Sequence, residues 1–330
     1  MITGDKKMNK YLSALTALLL TAGVLGGCAS DSAAPEKTKE QQASQENKTE
    51  FPIKIKDASN SEVTIEDEPK KIVSLIPSNT EIIFSMGLGD KVVGVTDNDN
   101  YPEEALRKEK VGGMDFNVEK IIGLQPDLVL AHESGAHNSA DGLKQLKDAG
   151  IDVVVVNEAQ SFEEVYESME MIGKATGEGE KSEKMIDGMK KDLANIEEKA
   201  ASIPDDRRKR VFVEVSPSPE IYTAGKDTFL NDILTTVGAE NAAAAQSGWP
   251  KMTEEAIVKL NPDTIVTTYG YYSPDPIKQV MSRKGWESVA AIKNKAVFDV
   301  HSDKVTRPGP RLIEGVEELA HSIYPDVFTK

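Results

Sequence analysis

Glu119 and Glu255 stand in two copies of one short pattern. Val118-Glu-Lys-Ile121-Ile-Gly-Leu124-Gln-Pro126-Asp127 and Glu254-Glu-Ala-Ile257-Val-Lys-Leu260-Asn-Pro262-Asp263 match at a constant offset of 136 residues, as from Glu119 to Glu255. In each copy an acidic residue falls in the first turn of a short helix, and apolar residues two and five places on face a core. Pro-Asp then stops the helix before an apolar strand. Taken singly, such a carboxylate is what the exposed N–H groups and dipole of a helix start favour. As a pair on two matched halves, the two would lie on one outer face, one on each side of a cleft mouth. Rigidly spaced carboxylates of that kind suit two arginines on a two-fold symmetric partner, because a guanidinium fork pairs bidentately with a carboxylate.

Aromatic residues make up only 5% of the chain, so those outside a core pattern are pocket candidates. Trp249, between Gly248 and Pro250, and Tyr101, before Pro102, are two of these. Tyr222, Tyr269, Tyr271 and Tyr272 also fall in loops, where a ring can stack on a large flat ligand or a phenolate can reach iron. Arg307 and Arg311 flank Pro-Gly-Pro; one of them can reach an anionic ligand, and Arg311 equally fits a helix-start surface charge. His132 fits metal ligation, a hydrogen bond to a propionate or amide, or no ligand contact at all. His137 reads as solvent-facing, His301 as cleft-lining and His321 as a surface or packing residue. These four scattered histidines lack zinc or manganese spacing, so neither a metal site nor a cofactor is expected. Gly-x-Ser-x-Gly, His-Glu-x-x-His and Cys-His arrangements are absent from the sequence, which leaves a secreted hydrolase as a remote alternative to a non-enzymatic binding module.

Strands alternating with helices must position these residues. A hairpin is expected over 51–65, followed by a strand from Ile72. Ser78 and Glu81 have capping-box spacing for a helix closing at Gly87. Further strands are expected at 91–95, 127–131 and 151–156, several of them apolar on both faces, which is the mark of a parallel sheet covered by helices. Residues 162–202 differ: apart from Gly177-Glu-Gly179 they are charged and helix-favouring, with apolar residues spaced at three or four, and read as a helix between two lobes. The α/β pattern restarts at Val211 and ends in a helix over 310–323.

The chain has 330 residues, enough for two domains, and a formal net charge of −16, which repels phosphate backbones and argues against a nucleic-acid partner. Lys6, Lys7 and Lys10 precede an apolar run from Leu12 to Leu25 that ends in Gly26-Gly27-Cys28. The run is shorter than a comfortable membrane span, and Cys28 is the only cysteine. It resembles a lipobox, in which the thiol is the point of lipid attachment. The expected organisation is a signal peptide over 1–28, a disordered tether over 29–50, an N-terminal lobe over 51–160, a connecting helical segment over 161–203 and a C-terminal lobe over 204–330.

Ile72-Val-Ser-Leu-Ile-Pro-Ser-Asn-Thr-Glu81, Val92-Val-Gly-Val-Thr96, Asn117-Val-Glu-Lys-Ile121, Gly248-Trp-Pro-Lys-Met-Thr-Glu-Glu255 and Arg307-Pro-Gly-Pro-Arg311 are similar to motifs of the cluster-A, helix-hinged substrate-binding proteins of ABC importers. The resemblance runs from about residue 57 to the C-terminus and is closest to the cobalamin-binding members. It implies an α/β fold of two Rossmann-like lobes with central parallel sheets, joined by one long helix, with a ligand cleft between them. It further implies a monomer, attached to the membrane through its lipid alone, that delivers a corrinoid, ferric siderophore or haem to a permease and its ATPase. In that family one glutamate per lobe docks on permease arginines, and the matching positions are Glu119 and Glu255. Trp249 matches the ring that packs on the corrin, and Tyr101 also fits. The chain departs where those members place tryptophans after Val111 and after the strand at Leu128, offering Met114 or Phe116 and His132 instead.

Overall fold

Two parallel sheets, built one after the other along the chain, set out everything else. The computed structural model describes residues 50–329; the signal segment, Cys28 and most of the tether lie outside them. β1 (Ile53–Lys56) and β2 (Glu62–Ile65) form the expected antiparallel hairpin. The first sheet uses β3 (Ile72–Ser74), β4 (Val92–Val95), β5 (Glu109–Lys110), β6 (Leu128–His132) and β7 (Asp152–Val156). Its crossings include α1 (Pro77–Ser85), α2 (Val118–Leu124), α3 (Glu133–Ala136) and α4 (Ala140–Asp148). Spatial order is β5-β4-β3-β6-β7, with all pairs parallel. The chain builds outward on one side of β3 and then crosses to the other, so the connections diverge between β3 and β6 and leave a crevice outside the carboxyl ends of those strands.

α5 (Phe162–Thr176) and α6 (Gly179–Ala201) follow. The second half runs β8 (Arg210–Glu214), α7 (Phe229–Thr236), β9 (Glu240–Asn241), α8 (Glu254–Leu260) and β10 (Thr264–Thr267). It continues through α9 (Pro276–Met281), α10 (Ala290–Lys293), β11 (Val297–Asp299), α11 (Ser302–Thr306) and α12 (Leu312–Ile323). The second sheet has the order β11-β10-β8-β9, again parallel, with its divergence between β8 and β10.

Alternation within the strands divides the core. Leu128 and Leu130 of β6, Val211 and Val213 of β8 and Val266 of β10 all enter one central cluster, which also takes apolar residues of α5, α6, α7 and α12. Their neighbours point the other way: Val129 and Ala131 into a core belonging to the first sheet, Phe212 and Ile265 into one belonging to the second. Every one of these side chains is at most 2% exposed, which accounts for the uninterrupted apolar runs.

The segment read as one connector is two helices. Gly177, at φ 78, ends α5, which packs on α1, β1 and β7 as part of the first lobe. α6, 23 residues and about 34 Å long at 1.5 Å per residue, is the long helix between the lobes and touches α7 and α12 as well as α5. The two approach closely at Gly173, where a methyl group would collide with Ser182, whose Oγ donates to the Met169 carbonyl at 2.9 Å.

The expected capping box at Ser78 and Glu81 does not form. Pro77 occupies the first helical position, Ile76 is the N-cap without a side-chain bond, and Glu81 serves the opposite lobe instead. It is 2% exposed and accepts from Arg311 Nε at 2.8 Å, Arg311 Nη2 at 2.6 Å and Arg307 Nη1 at 2.6 Å. Arg307 also donates to Asn100 Oδ1 at 2.9 Å and pairs with Asp303 at 2.9 Å, while Asn100 Nδ2 donates to Asp303 at 2.8 Å. A buried carboxylate that captures two guanidiniums outcompetes a helix cap, because its remaining desolvation has to be offset by charge.

Candidate functional site

The duplicated motif is repeated at the level of hydrogen bonds. Asn117 and Thr253, equivalent in the repeat, are N-caps whose side chains accept from Lys120 N and Ala256 N. Gln125 and Asn261 end the two helices in the left-handed conformation. Asp127 Oδ2 then accepts from Lys71 N at 2.9 Å, and Asp263 Oδ2 from Arg210 N at 2.9 Å. Ile121 and Ile257 are both fully buried.

Because α2 and α8 each turn through a three-residue link into β6 and β10, each runs back along its strand, and its first turn lies at that strand's carboxyl end. Glu119 and Glu255 therefore stand at the edge of each sheet where the cleft opens. Both are exposed, and neither has an ion-pair partner among the described residues. The neighbouring side chains are engaged: Lys120 with Glu109 at 3.1 Å, and Glu254 with Ser218 Oγ at 2.8 Å.

Between the lobes lies a cleft of about 460 Å³. Pro77, Ser78 and His132 line it from the first lobe; Phe229, Leu230, Trp249, Tyr271 and Arg307 line it from the second. Trp249 is 50% exposed and follows Gly248, whose φ of 68 carries the loop into the gap. Tyr271 is 62% exposed, edge-on to Tyr272 at 4.8 Å, and stacked on His301 at 6.0 Å. A side pocket of about 190 Å³ opens from the cleft within the first lobe. Met114, Phe116, Leu143 and Thr96 line it, and it shares Ile76, Pro77, His132 and Ser134 with the cleft.

His132 ends β6 at 9% exposure, and its Nδ1 accepts from Ser134 N at 3.3 Å. Burial lowers its pKa against the opposing pull of Glu133, so the ring is neutral at pH 7.

Three expected ligand contacts stand elsewhere. Tyr269 is fully buried: its hydroxyl donates to Glu214 Oε1 at 2.6 Å, and burial beside that carboxylate raises its pKa. Glu214, itself 0% exposed, also holds Arg283 Nη1 at 2.7 Å and Nη2 at 2.6 Å. Burial would lower the Arg283 pKa, but the hydrogen bond and charge of Glu214 carry it upward. The phenol thus completes a buried ion pair and is not a cleft ring. Tyr222 is part of a bridge to Lys251 and lines neither the cleft nor the side pocket. Tyr101 also stands outside both, under the Arg311 guanidinium at 3.8 Å from its ring centre. Arg307 does line the cleft, yet its guanidinium is spent on Glu81, Asn100 and Asp303.

Sequence reasoning missed the Glu81 ion pair, the Glu214–Arg283 pair and the fully buried Trp286, over which Arg283 lies at 4.7 Å. Only Glu214 carried a signal, as an acidic residue closing an apolar strand.

This architecture, with a ligand-sized gap walled by two topologically matched sheets, defines a bilobal binding protein. Residues 72–304 match the family model described as periplasmic binding protein, and the chain belongs to that family, the substrate-binding proteins of ABC transporters. Such a protein binds a small ligand, works with a permease and ATPase, and is not an enzyme. The chain is 58% identical over 321 residues to an uncharacterized ABC transporter substrate-binding lipoprotein of Bacillus subtilis, covering 97% of this chain and 99% of that one. It is 30% identical over 294 residues to a cobalamin-binding protein of Halobacterium salinarum, covering 86% and 77%. A solved structure of a possible iron-binding, periplasmic solute-binding protein of Staphylococcus epidermidis superposes with a TM-score of 0.69 at 40% identity, covering 78% of this chain and all of that one.

Proposed function

We propose that this protein is an extracytoplasmic lipoprotein, anchored through Cys28, that captures cobalamin or a related corrinoid and presents it to its permease by way of Glu119 and Glu255. Residues 51–160 together with α5 and residues 204–330 act as the two lobes, α6 as the connecting helix, and the protein acts as a monomer. The observation that carries the ligand reading is the cleft wall. A half-exposed Trp249 and the exposed Tyr271 stand with Phe229 and Leu230 on one side of a gap whose other side is formed by Ile76, Pro77 and Ala159. Exposed flat rings beside apolar residues, in a wall that also carries Glu158, Gln160, Ser302 and Thr306, suit a large ring with polar substituents more than a small charged solute. The cobalamin-binding relative supports the same reading, and the lipoprotein relative supports the anchor.

A ferric siderophore or haem is the second reading, favoured by the Tyr271–His301 pair beside the cleft and by the possible iron-binding relative. Titrating the purified protein with cyanocobalamin, ferric hydroxamate and haem while following tryptophan fluorescence separates the two. Saturable quenching by cyanocobalamin alone is expected; saturation by an iron ligand alone overturns the corrinoid assignment.

A further inference from the structure

The side pocket sits where the crossovers of the first sheet diverge, outside the carboxyl ends of β3 and β6, which is where open α/β sheets receive ligands. Leu75 and Ile76 follow β3, Ala131 and His132 end β6, and all four line the pocket. His132 is shared with the main cleft and so stands at the neck between the two spaces.

The hydrogen bonds of His132 fix which of its nitrogens carries the proton. The Ser134 backbone N–H can only donate, and it points at Nδ1 from 3.3 Å; Ser134 Oγ lies 2.8 Å from the same atom and can turn its hydrogen inward. A proton on Nδ1 would set two hydrogens face to face, so Nδ1 is the acceptor and, in the neutral ring, Nε2 carries the hydrogen. Nε2 has no hydrogen-bond partner among the described residues and is not among their fully buried orphan atoms. The side chain is about nine-tenths buried and lines both the cleft and the side pocket, which makes the neck between them the place for that N–H. The Asn98 side-chain amide at the same pocket also lacks a partner among the described residues.

We propose that this pocket is a ligand subsite in which His132 is a specificity-determining Nε2–H donor to an amide or carboxylate oxygen, while the wall of Met114, Phe116 and Leu143 takes a compact apolar group next to that oxygen. A nitrogen that holds a hydrogen has no lone pair for a metal, so the same geometry makes His132 a poor ligand for iron or cobalt. The proposal rests on the function given above for the cleft and narrows the ligand to one bearing an acceptor beside an apolar appendage.

Histidine 15N NMR of the purified full-length protein tests the tautomer without any ligand, with the His132→Gln spectrum assigning the signal. A pyridine-type Nδ1 and a pyrrole-type Nε2 are expected; the reverse pattern overturns the proposal. Cyanocobalamin titration then tests the subsite. His132→Ala should weaken binding about 10-fold, the loss expected of one good hydrogen bond. His132→Gln, which keeps an N–H at similar reach, should recover most of that loss, and Ala136→Phe, which fills the pocket, should weaken binding at least as much as the alanine variant, all at unchanged melting temperature. Wild-type affinity in both His132→Ala and Ala136→Phe overturns the subsite. So does a low-spin haem spectrum that disappears in His132→Ala, since that would show a nitrogen lone pair on iron. If the wild type binds neither probe, the corrinoid function fails while the NMR result still decides the donor.

Discussion

The two lobes solve one topological problem in opposite ways. Each sheet has a divergence point at its carboxyl edge, between β3 and β6 in the first and between β8 and β10 in the second. The first lobe leaves that crevice open as the side pocket, with His132 at its neck. The second fills its own with Glu214 from the end of β8, Tyr269 from beyond β10 and Arg283 from beyond α9. With the crevice filled, the second lobe meets the cleft through rings carried on loops: Trp249, and Tyr271 two residues past the buried phenol. Matched backbones therefore divide the work, one lobe offering a recess and the other a face.

The sharpest way to break this contrast is to unplug the second lobe. Arg283→Ala leaves Glu214 buried without its counter-charge, and a stability loss of about 3–5 kcal/mol is expected in denaturant unfolding. A loss under about 1 kcal/mol would mean that the carboxylate finds water there, and that the two crevices are more alike than described. Next in size is Trp249→Ala. Removing a half-exposed ring should lower ligand affinity by about 2 kcal/mol, roughly 30-fold, while thermal unfolding hardly moves; an equal drop in stability would make the ring a packing element.

A smaller effect separates the lobes by pH. Burial holds the His132 pKa below its ordinary value against the pull of Glu133, so the unfolded chain takes up that proton first. Its contribution to stability is complete above about pH 6.5 and is lost as pH falls through the folded value. Glu158 and Asp303, which also line the cleft, remain as background when His132→Gln is compared with the wild type. Unfolding free energies measured at pH 7.5 and 5.5 should show a flatter slope in the variant, and parallel slopes would remove the histidine from the account. The least effect on the isolated protein is expected from the double change of Glu119 and Glu255 to Ala. Stability should stay within about 0.5 kcal/mol and ligand affinity should be unchanged, with uptake into cells abolished. Retained uptake would show that the permease grips other groups.

How much of this was legible depended on how local the cause was. The repeated helix and its stop are written within eleven consecutive residues from Asn117 and again from Thr253, so sequence alone places Glu119 and Glu255 correctly at helix starts. Strand burial was equally readable, since a strand packed on both faces must be apolar throughout. Glu81 could not be read this way: its partners lie 226 and 230 residues away, and nothing nearby distinguishes it from a capping glutamate. Tyr269 was misjudged because three tyrosines after a strand look alike, and only the fold shows that the first turns inward to an acid 55 residues earlier. The short helices α3, α9, α10 and α11 span six residues or fewer, too few for a periodic signal.

The knot at Glu81 has a mechanical corollary. An acid buried in one wall and two partly buried bases from the other are locked together, with Asn100 and Asp303 stitched in on the exposed side. Prising the walls apart would have to release these ties together, since both guanidiniums hold one carboxylate. The width of the mouth is set by the reach of two arginines.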